Sequence, residues 1–297
     1  MVADQLCRGV LNASNIKILT VVSTQTANEG RTRHGLKGLA SSLLSQALTG
    51  GVLMAALQKG QQRVNVQVEC DGPLRGLFVD AGADGTVRGY VKNALFQLEA
   101  VEGEFKWRPA LGNSGFLSVL RDVGSEYYRS SVELKALSLA SDLNYYFDTS
   151  EQVTTRLALE VMHHEDGEVG VAAGTLIQAL PDGDSALVNS LGATLHEQLV
   201  APMRAHGTGL TAELLAQSLY GGLDLQVLEV APVQWKCTCS RERVLDTLAS
   251  LGKAEVREML LTDGKAAVTC TFCSTTHVAT ATDLTNILTV LEAVPSA

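Results

Sequence analysis

Four cysteines late in the chain carry the clearest chemistry. Cys237 and Cys239 form C-x-C in KCTCSRERV, Cys270 and Cys273 form C-x-x-C in VTCTFC, and 30 residues separate Cys239 from Cys270. Zinc is held tetrahedrally by thiolates, and two short-spaced pairs brought together by an intervening segment supply four ligands without strain. Two other chemistries use the same residue type. Buried cysteines can be small inert hydrophobes, and a C-x-x-C pair can be a catalytic dithiol, which normally opens a helix whose N-terminus lowers the thiol pKa. Cys270 instead follows the β-like KAAVT and reads as part of a strand-to-knuckle turn. The pattern points to a zinc site.

Other candidate residues read as structural. His277, four residues after Cys273, is able to replace a cysteine as ligand, but four thiolates already complete the shell, so it reads as a strand residue beside the site. His163-His164-Glu165 precedes Asp166-Gly167 between two strand patterns and reads as exposed hairpin residues. Cys7 and Cys70 read as small core or near-core residues. Neither G-x-x-x-x-G-K-[ST] nor G-x-G-x-x-G occurs, so ATP hydrolysis is not indicated, and no G-x-S-x-G elbow supports a serine nucleophile.

The cysteines need elements to position them. Ser240 is placed to cap a helix from Arg241 to Leu251, with Val244, Leu245, Leu248 and Leu251 on one face and Gly252 ending it. A second short helix follows, Asp263-Gly264 turns into the strand bearing Cys270, and Thr282 or Asp283 caps a last helix with Leu284, Ile287, Leu288 and Leu291 inward. A module of about 60 residues has a marginal core and commonly needs a metal or other staple.

Upstream, strands are expected over Asn15 to Ser23, Arg63 to Cys70 with Val64, Val66 and Val68 on one face, Leu77 to Ala81, Thr86 to Val91, Gly115 to Leu120, Arg129 to Leu134, Leu157 to Met162 and Val169 to Ala179. A helix is expected over Leu137 to Gln152, and Gly38 to Leu57 reads as a buried helix or helix pair because serines, Gln46 and Thr49 interrupt it as a membrane span. After Pro181 the pattern changes. Leu187, Leu191, Leu195 and Leu199 recur at fourfold spacing on a helix limited by Pro202 and Gly207 to Gly209, a short helix covers Thr211 to Tyr220, and the strand-like LQVLEVAPVQW leads to Cys237. The fold class is α+β: an N-terminal β-rich domain with packed helices (1–181), a helical connector with apolar surface (182–234), and a small C-terminal α/β zinc-binding domain (235–297).

Composition bounds the partners. The 297 residues are 46% apolar, 19% charged and 5% aromatic, with a net charge of −9, an ordinary soluble make-up that repels phosphate backbones and offers few stacking platforms for single strands. No nucleic acid and no membrane are expected as partners. The N-terminus MVADQLCRGVLN lacks a basic n-region and an unbroken apolar run, and the crowding of four of the six cysteines at one end is unlike a secreted disulfide framework. The expectation is a reducing, cytoplasmic setting.

With these residues in view, the chain resembles the heat shock protein 33 family of redox-regulated zinc chaperones. CTCSRERV followed at the family's spacing by VTCTFC is the specific signal, and DGPLRG with TVRGYV, YYFDTSEQ at Tyr145 to Gln152 and GTLIQALP at Gly174 to Pro181 follow in the family's order, so the likeness spans Asp4 to Leu291. It departs at Thr238, where proline is common, at His277, where an aromatic is common, and over Glu29 to Gln46, which lacks the usual His-x-Tyr-Pro-like stretch. The resemblance implies one Zn2+ per chain on Cys237, Cys239, Cys270 and Cys273 in an inactive reduced form. It implies that oxidation forms the disulfides Cys237–Cys239 and Cys270–Cys273, releases zinc, unfolds the zinc domain and connector, and yields a dimeric, ATP-independent holdase for unfolded client proteins. That is a chaperone of oxidative stress and not an enzyme. A thiol-disulfide oxidoreductase and a constitutive zinc-dependent adaptor for protein or nucleic acid remain the alternatives. Against the adaptor, Lys236, Arg241, Arg243 and Arg257 are interleaved with Glu242, Asp246, Glu255 and Glu258, the usual solvated helical face.

Overall fold

The computed structural model describes residues 2–96, 98–99, 106–122, 124 and 126–293, and the chain forms two compact units, Met1–Lys236 and Cys237–Ala297. The first unit opens with β1 (Gln5–Leu11), β2 (Ile16–Val22), α1 (Thr24–His34) and α2 (Gly38–Ala55). The meander β3 (Arg63–Cys70), β4 (Gly76–Gly82) and β5 (Thr86–Val91) follows. Next come the short α3 (Arg108–Leu111), β6 (Gly115–Asp122), β7 (Tyr127–Glu133), α4 (Leu139–Ser150), β8 (Thr155–His163) and β9 (Val169–Ala179). The unit closes with α5 (Ser185–His206), α6 (Ala212–Tyr220), β10 (Leu225–Pro232) and the two-residue β11 (Gln234–Trp235).

Two sheets result. One has the order β10-β1-β2-β9-β8, the other β11-β5-β4-β3-β6-β7, where β11 runs parallel to β5. α2 packs on strands of both sheets, which is why it is buried all round and not along a single stripe. Its glycines permit the close fit: a Cβ on Gly51 would stand 2.6 Å from Val79 Cγ1 of one sheet, and a Cβ on Gly50 3.1 Å from Leu159 Cδ1 of the other. By length and composition α2 is able to cross a membrane, yet 94% of it is buried inside the fold, as the interrupting serines suggest. Those hydroxyls turn back onto the helix, Ser45 donating to the Ser41 carbonyl and Thr49 to that of Ser45. Val64, Val66 and Val68 of β3 enter the same core.

β9 is buried along nearly its whole length because its sheet is covered on both faces. The second face holds α5 and α6, with Val188, Leu195, Leu199, Met203, Leu215 and Tyr220 against Ile16, Ile18, Val171 and Ile177. Leu187 and Leu191 of the fourfold series lie at the margin, half-buried. Pro202 does not limit α5. It lies inside the helix, buried, and the helix continues to His206 before Gly207 at φ 50. The missing N–H costs one helical hydrogen bond, which the packing of Leu199, Pro202 and Met203 offsets. On α6 the Tyr220 hydroxyl, fully buried, meets the Thr175 hydroxyl at 2.7 Å.

The second unit runs α7 (Arg241–Ser250), α8 (Lys253–Thr262), β12 (Lys265–Thr269), β13 (Thr276–Thr280) and α9 (Ala281–Ala293). Ser240 caps α7, its hydroxyl accepting from the Arg243 N–H at 3.3 Å, and Gly252 at φ 96 separates α7 from α8. The cap of α9 is Thr280, and neither Thr282 nor Asp283. Asp283 Oδ2 accepts from the Thr280 N–H at 2.7 Å while the Thr280 hydroxyl accepts from the Asp283 N–H at 3.4 Å, a reciprocal box that needs its acid three residues inside the cap. Thr280→Ala should raise amide exchange in the first turn of α9 about fivefold; unchanged exchange there would contradict the box. Among the described residues the apolar core here is small, with Leu248, Val256, Ala279, Leu284, Ile287 and Leu288 buried. So small a core leaves little stability of its own.

Candidate metal centre

The antiparallel pair β12 and β13 holds Cys270 and Cys273 in the turn between its strands. The Cys270 N–H donates to the Thr275 carbonyl at 2.9 Å, and the Ser274 N–H donates to the Cys270 carbonyl at 2.8 Å, with Ser274 at φ 57. The chain thus turns tightly around the sulfurs. Cys270 follows a strand and not a helix start, so the helix N-terminus that activates a dithiol is absent from it. Cys237 and Cys239 lie in the extended segment before α7, where the Arg243 guanidinium clamps Thr238 through its carbonyl and hydroxyl, both at 3.0 Å.

The fold brings the four predicted cysteines together. Their sulfurs all lie within 4.8 Å of one another, with Cys237 to Cys270 at 3.7 Å and Cys239 to Cys273 at 3.4 Å. A tetrahedral thiolate shell with metal–sulfur bonds of about 2.3 Å has sulfur–sulfur edges of about 3.8 Å. The four sulfurs therefore fit zinc in number, element and spacing.

Their electrostatics agree. Burial pushes up the thiols of Cys239 and Cys270, and hydrogen bonding to the neighbouring sulfurs adds to the rise. Burial also acts upward on Cys273, but the Thr275 side chain and backbone, then Cys239 and Cys237, outweigh it and bring the group down to about 6. Cys273 is readily a thiolate while Cys239 and Cys270 resist a second negative charge, so a divalent cation is what would make four thiolates favourable together.

Several predicted positions can now be placed. His277 sits on β13 opposite Val268, with Nε2 3.4 Å from Cys239 Sγ, against the cluster but outside the set of groups able to share an ion. His163 is not an exposed hairpin residue. It is half-buried, with Nε2 3.4 Å from Ser41 Oγ, and burial holds its pKa below the usual histidine value, while His164 and Glu165 are exposed in the turn. Among the described residues the four cysteines are the only such ligand cluster. Cys7 is buried and Cys70 half-buried, apart from it. Sequence reading missed Thr275 and the Arg243 clamp on Thr238; the SRERV run carried a signal for the latter.

The architecture and the cysteine cluster define an α+β protein with a four-thiol centre in a small terminal unit. A sequence model of the Hsp33 protein family matches residues 4–280. A 33 kDa chaperonin of Thermosynechococcus vestitus is 40% identical over 93% of this chain and 93% of its own length, and one of Geobacter sulfurreducens 38% identical over 92% and 91%. The solved structure of the 33 kDa chaperonin, a heat shock protein 33 homologue, of Thermotoga maritima superposes with a TM-score of 0.77 at 28% identity, covering 97% of this chain and 99% of that one. The chain belongs to the Hsp33 family of chaperones.

Proposed function

We propose that this protein is a redox-regulated holdase that binds unfolding proteins without ATP. The observation that carries the reading is the convergence of four sulfurs from two segments 30 residues apart in a unit with a small apolar core. In this reading residues 1–181 form the body, 182–234 the connector and 235–297 the switch. Zinc on Cys237, Cys239, Cys270 and Cys273, one ion per chain, would hold the sulfurs as thiolates and tie the segment before α7 to the β12–β13 turn. Thiolates are also the nucleophiles that attack peroxide.

The redox step balances with a peroxide as two-electron oxidant. A cysteine thiol is oxidised to sulfenic acid while peroxide is reduced to water, and the neighbouring thiol one or two positions away then displaces a second water to form the disulfide. Cys237 pairs with Cys239 and Cys270 with Cys273. Each bridge closes a tiny ring, so the long-range tie is gone, and the unit unfolds.

The connector supports the next step. Cys237 follows directly on Lys236, whose N–H still bonds to the Val87 carbonyl at 3.0 Å, so no spacer separates β11 from the first sulfur. β11 is two residues long and β10 is an edge strand. Unfolding from Cys237 frays these first and then releases α5 and α6, exposing the apolar surface that clients bind and two chains share as a dimer. Reduced and peroxide-oxidised protein should be compared for suppressing aggregation of a denatured client without ATP. Activity is expected only after oxidation, with zinc released in parallel; strong activity in the reduced, zinc-loaded form would overturn the proposal.

A further inference from the structure

A second site lies in the first unit. A cleft of about 790 Å³ opens where α2, α4, β8 and α5 meet, a volume suited to a small organic molecule. Its floor is apolar, from Leu39, Leu157 and Leu159. Gln46 lines it from the middle of α2. This side chain is only 3% exposed, and among the described residues its amide has no hydrogen-bond partner, whereas Ser42, Ser45 and Thr49 around it are all satisfied by helix carbonyls. Facing the cleft without a partner in the protein, the amide is able to donate to an occupant.

The start of α4 faces the same cleft through Ser138, Ala140 and Ser141. Ser138 provides no side-chain cap, and Asp142, the acid of the first turn, instead accepts from the N–H groups of Lys135, Ala136 and Ser138. Among the described residues nothing accepts from the N–H groups of residues 139–141. The N–H groups of residues 139–141 thus remain to donate into the cleft, beside the buried Asp142 carboxylate that already holds the loop before α4. Lys106, Arg108 and Lys135 line the cleft against a single carboxylate, Glu160. Glu160 is already engaged by His196 at 2.8 Å and Lys106 at 3.7 Å, and Lys135 by Glu133 at 2.6 Å.

We infer that this cleft binds a small amphipathic anion, its carboxylate or phosphate head at the start of α4, its apolar body on the leucine floor, and the Gln46 amide donating to it. Gly192 and His196 of α5 form one wall, so an occupant touches the body and α5 at once and favours the docked helix. This inference stands independently of the holdase reading.

The test titrates reduced full-length protein with benzoate, phenyl phosphate and inorganic phosphate by ligand-observed NMR, and follows amide exchange in α5. Saturable binding of benzoate or phenyl phosphate, tighter than inorganic phosphate, is expected, and whichever binds better assigns the head group. Gln46→Met, of similar length and helix propensity, and the rim variant Lys106→Met should each weaken binding about tenfold, and exchange in α5 should slow when the cleft is filled. Absence of saturable binding, or binding unaltered in the folded Lys106→Met protein, would overturn the site; binding that leaves α5 exchange unchanged would overturn α5 as its wall.

Discussion

Chelating the metal from reduced protein should unfold the second unit while the first remains folded. Structural zinc contributes about 10–16 kcal/mol of apparent binding free energy at neutral pH, and a module of about 60 residues has only a few kcal/mol to spare. The six buried side chains around Leu248 and Leu288 cannot replace that contribution. Hydrogen exchange reads the outcome: amides of α7, α8, β12, β13 and α9 should lose protection together, and those of β3 and β9 should keep theirs. Retained protection across the second unit in metal-free, reduced protein would show that its hydrophobic core suffices. The cysteine cluster would then be a passenger on the fold and not its support.

The cluster was legible in the sequence because its information is local. Two close pairs fix their own spacing, and Ser240, Gly252 and the apolar faces of α7 and α9 announce the elements around them. The strands of the first unit were legible where alternation is strong, as in Val64, Val66 and Val68. β1 and α1 were not. β1 carries Arg8 and Gly9 at a register shift against β10, which breaks the alternating pattern, and α1 is the polar run TQTANEGRTRH with no apolar stripe. Its placement depends on distant partners, since Asp4 caps its start by accepting from the Gln25 and Thr26 N–H groups at 2.9 and 2.6 Å. Tertiary packing also decided the buried length of α5 past Pro202 and the half-buried place of His163 beside Ser41. The open cleft at Gln46 had no signal, because an amide among apolar residues reads the same whether or not something pairs with it.

Leu199→Ala should shift the switch toward its active side. Leu199 is fully buried between α5 and the sheet, and truncating such a leucine costs about 2–5 kcal/mol, depending on how well the site collapses. The loss falls on docking of α5, while the four clustered cysteines lie in the other unit and keep their chemistry. Exchange in α5 and α6 should rise in the reduced protein with its zinc content unchanged, and client holding should appear at lower oxidant exposure than in the parent. A released α5 without any gain in holding would separate connector exposure from client binding.

In the proposed mechanism the protein turns on because the second unit loses its long-range tie, and not merely because thiols are consumed. Three species distinguish these: reduced with zinc, oxidised within the pairs as Cys237–Cys239 and Cys270–Cys273, and trapped with a bridge between Cys237 and Cys270. The last is accessible from the 3.7 Å separation of those sulfurs, and it keeps a tie worth about 3–4 kcal/mol for a loop of this size. The measurement is suppression of aggregation of one denatured client, without ATP, by equal amounts of each. Strong suppression is expected from the species oxidised within pairs, little from the reduced zinc form, and clearly less from the cross-bridged form than from the species oxidised within pairs. Equal activity of the two oxidised species would contradict that mechanism.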